Sequence, residues 1–177
     1  MIIARNFTTP EVLAAAGLGA NTFQSYLRRD MIVGARGITG GGGQGRGHAR
    51  SYTWHAMMQI AVGAALVEAG VAPADAFKAA GHFAHMGSGG APGSDVPRRT
   101  PGLPYHPREG ETYLLMVEDA SRVVLAADGS IPLNAVPSIE GHPAIGFTAL
   151  DLTAVFYRVC DRLDVRAQDV LREAYGV

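Results

Sequence analysis

A stretch near the start of the chain decides its fold. It reads Phe7-Thr8-Thr9-Pro10-Glu11-Val12, continues with Gly17-Leu18, and leads into Thr22-Phe23-Gln24-Ser25-Tyr26-Leu27-Arg28-Arg29. Thr9 can act as an N-cap and Pro10 as the first helical residue, with Glu11 in the first turn, where the helix dipole favours a negative charge. The pattern therefore predicts a short helix that ends at Gly17.

A second helix is predicted from Thr22 to Arg29. Phe23, Tyr26 and Leu27 follow the i, i+3, i+4 spacing of a buried helix face. The outward positions are polar or basic, namely Asn21, Gln24, Ser25, Arg28 and Arg29. Such a face can lie in a DNA major groove, because amides and guanidinium groups pair with base edges while neighbouring arginines hold phosphates.

A glycine-rich, basic segment follows the second helix. It runs from Gly40 to Gly47 and closes on His48-Ala49-Arg50-Ser51-Tyr52. Low side-chain mass and high backbone freedom predict a loop that is disordered without DNA. We expect Arg36, Arg46 and Arg50 to meet phosphates or a minor groove on DNA, with a surface loop that contacts nothing as the alternative. Because Thr53 then caps a third helix, the order of elements is that of a winged helix-turn-helix.

At these residues the chain resembles the N-terminal DNA-binding domain of the MerR family of bacterial transcriptional regulators. In that family an aromatic residue and a threonine precede the first helix, a threonine opens the second, and the wing ends in Gly-x-Arg-x-Tyr. The corresponding residues are Phe7, Thr8, Thr22, His48, Arg50 and Tyr52, with Gly47 just before. The resemblance covers the first half of the chain and implies a homodimer on double-stranded DNA, with RNA polymerase as a further partner.

The residues predicted to bind DNA combine the outer helix face with the two ends of the motif. They are Thr8, Asn21, Thr22, Gln24, Ser25, Arg28, Arg29, Arg36, Arg46, His48, Arg50 and Tyr52. The family usually has an arginine followed by a tyrosine in the recognition helix, where this chain has Gln24 and Ser25. The operator contacts of the family therefore do not transfer to it.

Composition and charge agree with a DNA-binding globular protein. The chain has 177 residues, of which 47% are hydrophobic and 18% charged. Residues 1–86 hold seven basic and four acidic side chains, a net charge of +3, whereas residues 87–177 hold eight and twelve, a net charge of −4. The excess positive charge thus lies in the half of the chain that is predicted to bind DNA. The excess is modest, so two copies on two half-sites are expected.

Several classes of protein and site are disfavoured by the sequence. Met1 to Arg5 show no signal-peptide pattern and no apolar run has the length of a membrane span, so we expect a cytoplasmic protein without a membrane partner. The single cysteine, Cys160, excludes an internal disulfide and a multi-thiolate metal site. His82 and His85 lack a nearby carboxylate or thiol, and we expect no metal or cofactor.

The predicted fold class is α+β in three parts. These are a winged helix-turn-helix domain at 1–86, a Gly/Pro-rich linker at 87–110, in which Arg98 and Arg99 are taken as a solvated pair, and a dimerisation or sensing domain at 111–177. The last part is expected to hold a three-stranded antiparallel meander, Thr112–Val117, Arg122–Ala126 and Ser130–Leu133, joined at its second turn by Asp128-Gly129. Two helices, at 148–163 and 165–175, would cover its apolar face.

Two DNA-binding functions and one catalytic function follow as hypotheses. The first is a sequence-specific dimeric transcriptional regulator, whose second half could bind an effector through His106, Tyr113, Asp119, Arg122 or His142. The second is an excisionase-like architectural or recombination accessory protein, which uses the same winged helix. The third is an enzyme with a DNA-targeting module, which we do not expect, because the sequence has no nucleophile elbow, phosphate loop, zinc signature or recognisable carboxylate pair. Operator sequence, direction of regulation and effector do not follow from the sequence.

Overall fold

The computed structural model describes residues 2–33, 50–89, 97–138, 141–142 and 144–176. Within these ranges the chain forms six α-helices, one short 3-10 helix and two small antiparallel sheets. The α+β class is therefore confirmed. No helix in the described ranges combines the length and the apolar character needed to cross a bilayer.

The first region begins with strand β1, Phe7–Thr8, and helix α1, Thr9–Ala16. The N-cap is Thr8 and not the predicted Thr9, because Thr8 and Glu11 form a capping box. The Thr8 hydroxyl accepts a hydrogen bond from the Glu11 amide at 3.5 Å, and the Glu11 carboxylate accepts one from the Thr8 amide at 2.8 Å. Gly17 ends α1 in the left-handed conformation, at φ 69°, which glycine adopts without steric cost.

Helix α2, Ala20–Arg28, follows a three-residue turn, and strand β2, Ser51–Tyr52, then pairs with β1. Helix α3 spans Trp54–Glu68, and its predicted cap is confirmed, because the Thr53 hydroxyl accepts from the Ala56 amide at 3.2 Å. Helix α4 spans Pro73–His85. Helices α1 and α2 lie within one or two residues of their predicted limits, and α3 begins directly after its predicted cap, since each carries a terminal signal.

The second sheet contains β3, Glu111–Val117, β4, Ala120–Ala126, and β5, Thr148–Asp151, in the order β4-β3-β5. The predicted hairpin of β3 and β4 is confirmed, but the predicted third strand, Ser130 to Leu133, is wrong. Residues 130–132 form no strand and Leu133–Ala135 is a 3-10 helix. Instead Thr148 pairs with Met116 on the other edge of β3. Proline at 132 cannot donate to a ladder, whereas 148–151 has all its amides.

Two helices end the chain. Helix α5 spans Leu152–Arg162 and helix α6 spans Ala167–Tyr175. The cap of α5 is Asp151, whose side chain accepts from the Ala154 amide at 2.8 Å, so the helix begins four residues after its predicted start at 148. A single hydrophobic core includes residues of the first four helices, β3 and both final helices. Trp54, fully buried, lies between Phe7 and Phe156 at centroid distances of 6.2 and 6.1 Å.

The described part of the predicted linker packs on this core. The prediction of a solvated Arg99 is wrong, because only 3% of that residue is exposed. Its guanidinium donates to the carbonyl oxygens of Phe83, at 3.1 Å, of Leu103, at 3.3 Å, and of Met86. Phe83 lies in the last turn of α4 and Met86 is its C-cap, at the helix end where the partial negative charge of the dipole attracts a cation. The domain limits at 86 and 110 remain a prediction.

Candidate nucleic-acid interface

Helix α2 is anchored by two aromatic rings on its inner side. Phe23 is fully buried and meets the Tyr52 ring edge-on at 5.7 Å, while Tyr26, 6% exposed, packs on Phe77 at 4.6 Å. Aromatic contacts of this kind add to the stabilisation from burial and restrict how the helix can turn about its axis. They therefore fix which residues of α2 face outward.

The residues that were predicted to face outward from α2 lie on its outer side. Asn21, Thr22, Gln24, Arg28 and Arg29 are exposed, and Ser25 is half-buried at the margin. The Arg28 Nε donates to the Gln24 carbonyl oxygen at 3.4 Å. Neither arginine forms an ion pair with another described residue, so their charges are available to an external anion. We name these six residues the α2 outer face.

The N-terminus of α2 also faces outward without a side-chain cap. The N-cap residue, Gly19, is exposed and has no side chain that could accept from the first-turn amides. Amides at a helix N-terminus carry a partial positive charge and bind phosphate oxygens readily. This end of α2 can therefore bind an anionic group such as a phosphate.

The ladder of β1 and β2 brings together the two ends of the sequence motif. Phe7 pairs with Tyr52 and Thr8 with Ser51, which places the exposed Arg50 one position beyond, beside the start of α1. Tyr52 is only 1% exposed and belongs to the core, so its predicted place at the DNA surface is wrong. Its ring packs against Phe23 in the edge-on contact described above.

The surface near Thr8 is partly used by the protein itself. The Thr8 hydroxyl donates to the Glu11 carboxylate at 2.8 Å, and Arg5 forms an ion pair with the same carboxylate. The hydrogen bond from the Thr8 amide, followed by that from its hydroxyl, lowers the pKa of Glu11. Thr8 remains exposed, but its first role is to cap α1. Arg36, Arg46 and His48, with the glycine-rich segment Gly40 to Gly47, lie outside the described residues.

The sequence reasoning missed Gln59, a fully buried side chain inside α3 that anchors the segment after α2. Its Nε2 donates to the carbonyl oxygens of Met31 at 3.3 Å and Phe77 at 3.2 Å, and its Oε1 accepts from the Val33 amide at 3.0 Å. The His85 Nε2 lies 3.2 Å from the same Oε1. A lone amide within the apolar run of α3 is the signal that could have identified it.

The histidines and the other polar residues considered for a second site have separate partners. His85 stacks on His55 at 6.1 Å, whereas His82 faces the Ser121 hydroxyl at 3.3 Å. Asp119 binds Lys78 at 3.0 Å, and Tyr113 donates to Glu111 at 2.8 Å. The described residues contain no group of three or more His, Cys, Asp or Glu side chains that could hold a metal.

Cys160 also lies in the core, where burial raises the pKa of its thiol to about 12. An un-ionised, buried thiol contributes packing and is a poor nucleophile. Outside the core, the α2 outer face is the surface on which most of the described, predicted DNA-binding residues come together. No family model, curated protein or solved structure matches the chain.

Proposed function

We propose that the chain is a sequence-specific, DNA-binding transcriptional regulator of the MerR type that acts as a homodimer. The observation that carries this proposal is the α2 outer face. It is an exposed row of amide, hydroxyl and guanidinium groups on a helix whose opposite side is locked into the core by Phe23 and Tyr26. A rigid helix with such a face suits a major groove, because direct readout needs donors and acceptors held at fixed positions.

The residues of this face divide into two roles. Asn21 and Gln24 carry amides, which pair with adenine and other base edges, and they set sequence preference. Arg28 and Arg29 follow at the C-terminal end of α2 and hold phosphates on either side of the groove. Arg50, next to the β1–β2 ladder, adds a third phosphate contact near the start of α1.

A homodimer supplies the affinity that one copy lacks. The net charge of residues 1–86 is only +3, so one α2 outer face with a few arginines neutralises few phosphates. Two copies on neighbouring half-sites double these contacts and turn the second binding event into an intramolecular one. RNA polymerase is the further partner through which such a regulator acts.

The proposal is tested by selecting binding sites from a random duplex library and measuring affinity for a selected and a random duplex at several salt concentrations. Arg28→Ala should weaken binding to both and lower the slope of log K against log salt by about 1. Gln24→Ala should lower the preference for the selected duplex by about 1–3 kcal/mol at its own base pair. Arg172→Ala, on the exposed side of α6, is the matched control.

The results separate the proposed regulator from other functions. An inverted repeat among the selected sites supports the homodimer, and direct repeats would point to the excisionase-like accessory role with head-to-tail assembly. Equal loss of affinity from Arg28→Ala and Arg172→Ala would show that the α2 outer face is not the DNA contact. Failure to enrich any site would overturn sequence-specific binding altogether.

A further inference from the structure

A groove lies between helices α1 and α3 on one side and helix α5 on the other. Its deeper part has a volume of about 180 Å³ and is lined by Gly17, Ala61, Glu68, Arg158 and Arg162, among others. A neighbouring hollow of about 330 Å³ continues along α3 and α5. The two share Glu68 and Arg158 and so form one continuous groove.

Two unneutralised cations face this groove. Arg158 and Arg162 lie one helical turn apart on α5, a spacing at which like charges repel. Neither forms an ion pair with a described residue, and Glu68 forms none either, although it lines the same groove. Arg162 donates one hydrogen bond, to the Ala15 carbonyl oxygen at 3.1 Å. The remaining guanidinium donors are free to bind an anion in a forked geometry.

The apolar surface of the groove lies mainly in its second hollow, which Ala65, Leu150 and Ala154 line. Ala61, Val155 and Val159 are 4%, 6% and 1% exposed, and they lie beneath the charged rim. We propose that this groove binds a small organic monoanion, a carboxylate on a short apolar body, as an effector. The carboxylate would bind Arg158 and the free edge of Arg162, and the body would lie in the second hollow, which Arg158 also lines. Glu68, which lines both parts of the groove, and Asp151, which lines the second, disfavour a second negative charge on the ligand.

The groove is also placed to influence α2. The Arg162 guanidinium lies against Gly17, where an added Cβ would come within 2.7 Å of its Nη1. Gly17 opens the turn that leads into α2, and Arg162 ties this turn to α5 through the Ala15 carbonyl. An anion that draws Arg162 from Ala15 would loosen this contact and change affinity for DNA. This coupling rests on the proposed function, whereas binding of the anion does not.

Binding is tested first without DNA, by calorimetric titration of the full chain with isocaproate and with isocaproamide, which has the same body and no charge. We expect isocaproate to bind in the millimolar range and the amide not to bind. Arg158→Gln should weaken isocaproate binding about tenfold, since a charge-assisted hydrogen bond is lost. Glu68→Gln should strengthen it, and Arg172→Gln, outside the groove, should leave it unchanged.

Three outcomes would overturn the site, and none of them bears on the proposed function. They are no detectable binding of isocaproate, equal binding of the amide, and an Arg158→Gln variant that binds isocaproate like the parent. Arg158 is the chosen position because it makes no hydrogen bond or ion pair with a described residue, so the variant should fold normally. DNA affinity is then measured with and without isocaproate, and an unchanged value would overturn the coupling alone.

Discussion

Helices α2 and α3 are connected through the same core, but they differ in how much of their surface the core covers. In α2 two of nine residues, Phe23 and Tyr26, are buried and the rest of the helix faces outward or sits at the margin. In α3 ten of 15 residues are buried, on every side of the helix. A helix that is apolar all round is a scaffold, whereas one with a single apolar stripe presents its other side.

The cause of the difference is the size and polarity of the side chains. Alanine and glycine within α3 allow its neighbours to approach closely. At Gly63, for example, an added Cβ would come within 3.0 Å of the Phe77 ring. In α2 the outward positions carry side chains that cannot be buried without losing hydrogen bonds to water. Stability should therefore depend on α3, and recognition should depend on α2.

The largest effect is expected at the start of α3. Trp54→Ala should lower the free energy of unfolding by about 3–5 kcal/mol, because it empties a fully buried site between Phe7 and Phe156. The indole N–H also donates to the Gly102 carbonyl oxygen at 3.1 Å. Urea unfolding measures the change. Trp54→Phe, which keeps an aromatic ring but loses this hydrogen bond, should be less damaging, and equal losses would show that packing matters little there.

A smaller loss is expected at the one buried amide of α3. Gln59→Leu would remove the partner of the Val33 amide and of the Met31 and Phe77 carbonyls. Unpaired buried groups of this kind cost about 1–3 kcal/mol. Hydrogen exchange of the Val33 amide should accelerate by more than that of the α3 amides, because Gln59 holds the segment after α2. Gln168→Leu, on the exposed side of α6, is the control and should change neither quantity.

Acid should weaken the same part of the molecule. Burial lowers the pKa of His55 and His85 from the ordinary 6.5, and the charge of His55 lowers that of His85 further. The folded protein thus favours neutral imidazoles, while the unfolded chain takes up protons near pH 6.5. Stability from this pair should be complete above that pH and fall as the pH drops below it. His85→Gln should flatten the profile in urea titrations, and the exposed His142→Gln should not.

The elements that the sequence predicted well are those whose signals are local. The inner and outer residues of α2 follow from helical spacing alone, and the caps of α1 and α3 lie within one residue of their predicted places. Thr8 replaces Thr9 as the cap of α1 because only Thr8 stands three residues before Glu11, the spacing of a capping box. The residues of the α2 outer face therefore follow from helical spacing in the sequence.

The elements that the sequence missed depend on distant partners. Strand β5 has four residues and runs directly into α5, so the sequence of Thr148 to Asp151 predicts the start of a helix. In the structure these residues form a strand because they pair with β3. Gln59 bonds with residues 18 to 28 positions away along the chain. Arg99 is likewise held by the carbonyl oxygens of Phe83, in α4, and of Met86, just after it, and no local sequence pattern predicts these contacts. Tertiary contacts, rather than propensity, decide each case.

The smallest effect on stability is expected on the α2 outer face. Gln24→Ala should change the free energy of unfolding by no more than about 0.5 kcal/mol, since the side chain is exposed and alanine favours a helix. The same variant is expected to alter DNA preference. The two measurements together therefore distinguish a side chain that contacts DNA from one that stabilises the fold. A loss of stability near that of Gln59→Leu would mean that another part of the chain covers this face. Helices α2 and α3 would then differ only in which part of the chain covers them. The proposed DNA contact would have to lie on another surface.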